Sequence, residues 1–339
     1  MSSEHEWGIG ILGLGFMGRT HINAWAEAAR LGQPNSLVAV CDADQQRLTG
    51  STEAAGNMGP GTEGGQLFDP EAVSTYSDPA EFFADPQVEI VSICTHTNSH
   101  VELACAALEA GCHVLVEKPV ALIPAEVQRL ADACEASERV CMPAMCLRFW
   151  PGWAWLRERI ADGAFGPVRS AVFRRVSAQP DWSAGFYRSP EQSGGALFDL
   201  HVHDADFVRW CFGPPDGVTS TGTVDHLTTL YRFAKGPDHV TAEGGWDHTV
   251  GFGFSMGYTV IFEQATAVFL SGAEPELTLI RGGESEEVEL PGHDGYTGET
   301  VHLLEALNGN RAPVPTLEEA VALTTMIQAE RASLASWQR

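Results

Sequence analysis

The sequence contains very little lysine: Lys118 and Lys235 are the two present, and arginine supplies the other fixed positive charges. The 20 basic residues are outnumbered by 45 acidic ones, which gives a formal net charge of −25. Nucleic acid and anionic membrane surfaces are bound through clustered Lys and Arg. The composition therefore excludes both as expected partners. It also predicts that a bound anion is held locally, by backbone amides and helix ends.

Long apolar runs and paired cysteines are absent too. No stretch approaches the ~18 apolar residues of a membrane span, and the first residues, MSSEHEWGIG, lack the basic and apolar segments of a secretory signal. The eight cysteines form no C-x-x-C pair, so neither a zinc ribbon nor a redox motif is predicted. We expect reduced core cysteines in a cytoplasmic protein.

Apolar strands and helical segments alternate from residue 7 to about residue 147. The strands, among them SLVAVCDAD, VEIVSICT and HVLVEKP, are continuously apolar. This pattern is typical of a parallel sheet covered on both faces. The sequence therefore predicts an α/β domain with a doubly wound parallel sheet over residues 1–147.

The alternation of predicted strands and helices ends near residue 147. Closely spaced strands follow, with few helices between them; the helices expected are at 196–212, 297–309 and 316–336. Such a run is typical of an α+β domain. We predict that residues 148–339 form this second domain around a large, mostly antiparallel open sheet.

The segment GLGFMG contains the pattern G-x-G-x-x-G, after a predicted strand and at the start of a predicted helix. Glycines permit a tight turn and let the backbone approach a pyrophosphate, and the helix N-terminus supplies amides and partial positive charge. A glycine-rich turn without a ligand is the alternative. Five residues are assigned to dinucleotide binding: Gly13, Gly15, Phe16, Met17 and Gly18.

Asp42 ends the second predicted strand, in CDAD. A carboxylate at this point accepts hydrogen bonds from the adenosine ribose hydroxyls and repels a 2′-phosphate. The next residue, Ala43, offers no compensating cation. The sequence therefore favours NAD over NADP as the cofactor.

The segment THTNSH (95–100) follows another predicted strand at its carboxyl end, the edge where ligands bind in a doubly wound sheet. The residues expected to line the ribose and nicotinamide are Thr95, Thr97, Asn98 and His100. In the alternative interpretation, these polar residues cap the helix that starts at Ser99.

Glu117 and Lys118 end the strand HVLVEKP at the same edge. Lys118 follows a buried run and precedes a proline, which prevents the chain from continuing as a helix. Glu117 is a nearby counter-charge. We predict that both residues line the cofactor and that Lys118 donates a hydrogen bond to a reacting oxygen; a solvated surface lysine is the alternative.

The segment GGALFDLHVHDADFVRWCFG (194–213) combines aspartates and histidines on a predicted helix. Asp199 and His203 are four residues apart and so share a face, with Asp206 three residues further on. His201 points elsewhere. A histidine accepts a hydroxyl proton near neutral pH, so we predict that His203 is a general base. Asp199, on the same face, orients the histidine or shares the hydroxyls of the substrate.

Two other interpretations of this segment stay open. In the first, the aspartate caps the helix and the histidine is a core residue. In the second, four histidines bind zinc: His96, His100, His201 and His203. No H-x-x-x-H pair lies on one clear helix, so no metal site is assigned.

Four segments together resemble the Gfo/Idh/MocA family of glucose–fructose oxidoreductases and inositol dehydrogenases. They are GLGFMGRTH, CDAD, VEKP and GGALFDLHVHDADFVRWCFG, in the order and spacing of the family. LRFWPGWAWLRERIADGAFGPV is similar to its domain junction and GFSMGYTVIFEQATAVF to its later strands. One departure is His96, where the family often has proline.

The resemblance implies an N-terminal Rossmann domain and a C-terminal sheet through which the chain forms a homodimer or homotetramer. It implies three catalytic residues, Lys118, Asp199 and His203, with the Lys–Pro bond often cis. The implied reaction is the oxidation of a secondary alcohol of a sugar, inositol or related polyol by NAD. Members that hydrolyse glycosides by transient oxidation are one alternative, and a non-catalytic NAD-binding regulator is another.

Further residues could line the substrate pocket. Some precede the Asp–His helix and others lie near the end of the chain. They are Arg148, Trp182, Tyr187, Arg188, Tyr296 and His302.

Overall fold

The computed structural model describes residues 5–51, 66–180, 184–309 and 311–336. The chain divides into two compact units. The first comprises Met1–Cys146 and Gly295–Thr324, and the second comprises Leu147–Asp294 and Thr325–Arg339. The domain limits 1–147 and 148–339 stay a prediction.

The first unit contains a six-stranded parallel sheet with strand order β3-β2-β1-β4-β5-β6. Its strands are β1 (Trp7–Leu12), β2 (Asn35–Cys41), β3 (Ser74–Tyr76), β4 (Ile90–Ile93), β5 (His113–Glu117) and β6 (Cys141–Ala144). Its first helices are α1 (Phe16–Arg30), α2 (Pro79–Phe83), α3 (His100–Glu109) and α4 (Pro124–Ser137). This order is that of a Rossmann sheet, and the predicted fold class is confirmed.

The central strands are apolar without interruption because both faces of this sheet are covered. Along β4 and β5, Val91 and Val114 belong to one hydrophobic cluster, whereas Ile90 and Leu115 belong to another. Successive side chains of a strand point to opposite faces. The two clusters therefore lie on opposite faces of one sheet, as the continuous apolar runs predict.

The second unit contains an eight-stranded sheet with strand order β14-β13-β12-β11-β7-β10-β9-β8. The strands are β7 (Val168–Ala178), β8 (Gly217–Gly222), β9 (His226–Arg232), β10 (His239–His248), β11 (Phe254–Phe262), β12 (Thr266–Leu270), β13 (Leu277–Arg281) and β14 (Glu284–Glu287). Every pairing is antiparallel except that of β7 with β10. The predicted, mostly antiparallel sheet is confirmed.

Helices of the second unit are α5 (Pro151–Ala161), α6 (Ala184–Tyr187), α7 (Pro190–Ser193) and α8 (Val202–Phe212). A π-helical turn, Leu197–His201, leads into α8. The helix predicted at 196–212 is therefore present, but it begins with a wider turn.

Two helices close the chain, α9 (Gly295–Leu307) and α10 (Leu317–Ser336), as predicted. Leu303 and Leu304 of α9 are fully buried in the hydrophobic cluster that contains Ile9. Leu317 and Ala320, at the start of α10, join the cluster on the other face of the Rossmann sheet. Within the described ranges, no helix has the length and apolar character needed to cross a membrane.

Candidate active site

The glycine turn is tight at two positions and open at the third. Gly13 has φ +92°, and a Cβ there would lie 2.8 Å from the carbonyl oxygen of Cys94. A Cβ on Gly18 would lie 1.8 Å from the carbonyl oxygen of Gly13. At Gly15, directly before α1, the nearest atom to such a Cβ is Nη1 of Arg47, at 4.0 Å. The turn thus requires glycine at 13 and 18 and leaves room above 15, as pyrophosphate binding demands.

Asp42 is buried beside this turn and is already hydrogen-bonded. Its Oδ2 accepts hydrogen bonds from the backbone N–H of Leu14 at 2.6 Å and from Nη1 of Arg47 at 3.2 Å. Its Oδ1 accepts the backbone N–H of Asp44 at 2.8 Å. Arg47 is thus a cation beside the predicted ribose-binding carboxylate. The sequence analysis looked for such a cation at the next residue, Ala43, and overlooked Arg47. A short 3-10 turn, Arg47–Thr49, brings Arg47 back toward Asp42.

The segment after β4 is fixed by its own hydrogen bonds. The hydroxyls of Thr95 and Ser99 lie 2.8 Å apart, and Ser99 donates to the carbonyl of His96 at 2.8 Å. Ser99 is the N-cap residue of α3, but its side chain makes no capping bond. The capping interpretation is therefore wrong for Ser99. Thr97 is buried and Asn98 exposed, and their contact with a cofactor stays a prediction.

His100 connects this segment to the loop after β5. Its Nδ1 lies 3.0 Å from the carbonyl oxygen of Pro119 and its Nε2 lies 3.0 Å from that of Thr95. Burial lowers the pKa of His100, and a neutral ring has one N–H to donate between two carbonyls. The ring therefore holds two loops of the predicted ligand edge; direct contact with the cofactor stays a prediction.

The loop after β5 is anchored through a buried carboxylate. Oε1 of Glu117 lies 2.9 Å from Nε2 of His21, and Oε2 accepts the backbone N–H of Lys118 at 2.9 Å. Burial opposes ionisation of Glu117, but His21 and Lys118 outweigh it and lower the pKa of Glu117. Nε2 of His21 also lies 3.8 Å from Oε1 of the fully buried Glu299. His21 ends the segment GLGFMGRTH but was assigned no role from the sequence, and no motif pointed to Glu299.

Lys118 itself is half-buried at the carboxyl end of β5, and its peptide bond to Pro119 is cis. It is therefore not part of a fully solvated face. By contrast, Lys235 is exposed. The catalytic assignment of Lys118 stays a prediction.

The Asp–His segment of the second unit starts with the π-helical turn. Asp199 lies within that turn and is half-buried, whereas His203 lies in α8 and is 7% exposed. A π-helix repeats at i→i+5, so the simple four-residue rule does not fix which side chains share a face here. Single π turns occur frequently at functional sites. The roles of Asp199 and His203 stay predictions.

His201 points into the core of the second unit. Its Nε2 lies 2.7 Å from Oε2 of Glu330 and 3.1 Å from the hydroxyl of Tyr231. In the first unit, both ring nitrogens of His100 face carbonyl oxygens. Zinc bound to either ring nitrogen of His100 would replace one of its two carbonyl contacts. That the four histidines hold no metal stays a prediction.

Two buried ion pairs fix α8 against its surroundings. Arg148 donates to both carboxylate oxygens of Asp206, each at 2.7 Å, and Nε of Arg175 donates to Asp204 at 2.9 Å. Burial raises the pKa of Asp204 despite the opposing effect of Arg175. Arg148 thus forms a bidentate ion pair with Asp206. Its contact with substrate stays a prediction.

The remaining predicted pocket residues occupy varied environments. Tyr187 is half-buried and packs edge-to-face on Trp246, and Arg188 is exposed. Tyr296 is half-buried. His302 is buried and accepts the backbone N–H of Val314 at 3.0 Å, and burial, with Arg311, lowers the pKa of His302 to about 4. Trp182 lies outside the described residues. Contact with substrate stays a prediction for Tyr187, Arg188, Tyr296 and His302, and also for Arg148.

A cavity of about 630 Å³ opens at the other edge of the Rossmann sheet. Trp7 and His113, which begin β1 and β5, line it together with Glu89 and Arg139. Ligands of doubly wound sheets bind at the carboxyl ends of the strands, so this cavity is not the expected cofactor site.

The strand order and the glycine turn with its buried aspartate define a dinucleotide-binding Rossmann unit. Residues 7–145 match the family model described as "Oxidoreductase family, NAD-binding Rossmann fold", and residues 153–268 match that described as "GFO/IDH/MocA C-terminal domain". The chain belongs to the Gfo/Idh/MocA oxidoreductase family, as its motifs predict, and NAD is the cofactor of that family's nucleotide-binding domain.

Several relatives carry the names of enzymes that act on sugars or inositols. Myo-inositol 2-dehydrogenase of Thermotoga maritima is 29% identical over 241 residues, 67% of this chain and 65% of that protein. Levoglucosan dehydrogenase of Pseudarthrobacter phenanthrenivorans is 30% identical over 249 residues, 68% of this chain and 60% of that protein. The matches cover less than two thirds of the length of these relatives.

Solved structures share the fold over nearly the whole chain. A levoglucosan dehydrogenase in complex with NADH and levoglucosan has a TM-score of 0.81 at 20% identity and covers 98% of both chains. Aldose–aldose oxidoreductase of Caulobacter crescentus, complexed with glycerol, has a TM-score of 0.81 at 21% identity, again with 98% of both chains covered. These likenesses concern the fold.

Proposed function

We propose that this chain is an NAD-dependent dehydrogenase that oxidises a secondary alcohol of a sugar, inositol or related polyol. The observation that carries the proposal is the half-buried Lys118 at the carboxyl end of β5, in the Rossmann sheet whose β1 leads into the glycine turn. Ligands of such a sheet bind along this edge. The dehydrogenase names of the relatives support the substrate class and do not favour the glycoside hydrolase alternative.

Each proposed role follows from the chemistry of a side chain. When bound, NAD accepts a hydride from the alcohol carbon. His203 takes the hydroxyl proton, since imidazole is a base near neutral pH. Lys118 donates a hydrogen bond to the oxygen of that hydroxyl and stabilises its developing negative charge. Asp199 orients the histidine or binds an adjacent hydroxyl.

A substrate screen tests this function directly. The chain is incubated with sugars, inositols and sugar acids in the presence of NAD or NADP, and absorbance of the reduced cofactor is followed. We expect net formation of NADH with at least one polyol. Hydrolysis of an aryl glycoside without net NADH, or no turnover with any member of the panel, contradicts the proposal.

We further propose that NAD is preferred over NADP, because Asp42 repels a 2′-phosphate. Replacing Asp42 by alanine is expected to weaken NAD binding far more than NADP binding, since it removes the ribose acceptor and leaves Arg47 without its 3.2 Å partner. Dissociation constants for both cofactors, measured by titration calorimetry, check this. Asp44→Ala is the matched control, because Asp44 is also near Arg47, at 3.6 Å. Equal losses for NAD and NADP in Asp42→Ala would refute the preference.

We propose that the chain forms a homodimer or homotetramer through the eight-stranded sheet. The pairing register puts five exposed apolar residues on one face of this sheet. They are Val172, Leu230, Ile261, Leu270 and Ile280. Exposed apolar patches of this kind are typical of protein–protein contacts.

Measuring the molar mass by light scattering tests the assembly. We expect the wild-type chain to have two or four times the monomer mass and Val172→Glu to shift it to the monomer. Ile123→Glu is the control, because Ile123 is 57% exposed but lies in the first unit. A monomeric wild-type chain, or an equal effect of both substitutions, contradicts the proposed surface.

A cytoplasmic location is also proposed. All eight cysteines are free thiols, and free thiols are usual in a reducing compartment. Fractionation of the source cells measures the location directly, and recovery outside the cytoplasm would contradict it.

A further inference from the structure

A second cluster of chemically active side chains lies in the eight-stranded sheet. Nδ1 of His226 and Oδ1 of Asp247 are 2.5 Å apart, and Nδ1 of His248 lies 3.8 Å from the same Asp247 oxygen. The ligand atoms of these three residues all lie within 4.8 Å of one another. His226 begins β9, and the other two residues end β10 or lie next to its end. The cluster thus joins two strand ends through two imidazoles and a carboxylate.

The ring of His226 is held from both sides in a defined orientation. Its Nε2 lies 3.1 Å from Oε1 of Glu243, whose other oxygen accepts from Nε of Arg174 at 3.0 Å. Gly245 faces His226 in the ladder of β9 and β10, and a Cβ at that position would lie 2.6 Å from the imidazole. Gly245 thus provides the space that the imidazole of His226 occupies. The contact of Glu243 with Nε2 of this ring orients its other nitrogen, Nδ1, toward Asp247.

We propose that His226, Asp247 and His248 bind a divalent transition-metal ion of the zinc class. Two imidazole nitrogens and one carboxylate oxygen are a usual ligand set for such ions, with water or another ligand at the remaining position. The bond from Glu243 to the far nitrogen of His226 is the carboxylate–histidine arrangement that orients metal-binding imidazoles. The ion would tie the start of β9 to the end of β10.

A plain ion pair is the competing explanation. A protonated His226 between Asp247 and Glu243 accounts for the contacts of that residue. It leaves Nδ1 of His248 without a hydrogen bond, because this buried atom is 3.8 Å from Asp247 and has no hydrogen-bond partner within the part of the chain that the structure describes. A cation shared with Asp247 satisfies that nitrogen, and this favours the metal.

The test uses the full chain, freed of metal with a chelator and titrated with Co²⁺, whose visible absorption reports coordination by nitrogen and oxygen ligands. Zn²⁺ is titrated in parallel by calorimetry. We expect one ion per chain. Glu243→Gln should weaken binding by about 10–100-fold, as loss of an orienting carboxylate does, and His248→Ala or Asp247→Asn should weaken it by more.

His239→Ala is the matched control, since His239 is an exposed histidine at the other end of β10, next to Ser170. Circular dichroism establishes that each variant is folded, and the nearly isosteric Asp247→Asn keeps the test valid should His248→Ala unfold. Failure of the wild-type chain to bind Co²⁺ and Zn²⁺ overturns the proposal. So does binding that is unchanged in both Asp247→Asn and His248→Ala, or reduced equally in His239→Ala.

Discussion

Replacing Lys118 by alanine is expected to lower kcat by about 10²–10³-fold, the usual cost of losing one donor to a developing oxyanion. NAD binding should persist, because the glycine turn and Asp42 lie on other segments of the Rossmann unit. Steady-state kinetics with the best substrate of the screen, together with titration of NAD, separate the two quantities. A fall in kcat while NAD still binds is the expected outcome.

The sequence offers an unusually clean control, because it contains one other lysine. Lys235 is exposed in the second unit, so Lys235→Ala removes the same charge from the chain without touching β5. Lys118→Arg keeps the charge but changes the shape of the donor, and should recover only part of the rate. Rates of Lys118→Ala that match the wild type would end the catalytic assignment of this residue.

The fold could be predicted because its cause is local. Continuous apolar strands such as β4 and β5 have no solvated side, and only a sheet covered on both faces buries them. The glycine turn could also be predicted from the sequence. A Cβ at Gly13 or Gly18 would collide with backbone atoms, so the turn requires glycine at these positions. In both cases the property that determines the structure is carried by a few adjacent residues.

The features that the sequence did not reveal depend on distant contacts or on local backbone geometry that no residue pattern marks. Glu117 is balanced by His21, 96 residues earlier, and no local pattern links the two. Arg47 reaches Asp42 through a turn whose direction is set by tertiary structure. The π-helical turn at Leu197–His201 also escapes prediction, because the apolar spacing of the segment resembles that of an ordinary helix.

These contacts change what the candidate site can do. Glu117, the predicted counter-charge to Lys118, is also a backbone anchor, since it accepts the N–H of Lys118 and contacts the ring of His21. His100 performs a similar task for the loops that contain Thr95 and Pro119. The geometry of the ligand edge therefore depends on buried polar residues that do not themselves have to react.

Replacing His203 by alanine is expected to lower kcat by about 10²–10⁴-fold, the range for loss of a general base, and to remove the neutral-range limb of the pH–rate profile. A base acts only when it is deprotonated, so the wild-type rate of alcohol oxidation should rise with pH in the neutral range. In the variant, this rise should disappear while the rate stays low. The measurement is kcat from about pH 5 to 9, the range that brackets histidine titration, with saturating NAD and substrate.

His203→Gln distinguishes proton transfer from packing, because glutamine fills much of the buried space but does not titrate. It should share the flat profile of the alanine variant, whereas His239→Ala, at an exposed histidine of β10, should retain the wild-type curve. A neutral-range limb that survives in both His203 variants would assign the base to another group. Since His203 is only 7% exposed, retention of fold is checked by thermal denaturation, so that loss of the limb reports on chemistry and not on unfolding.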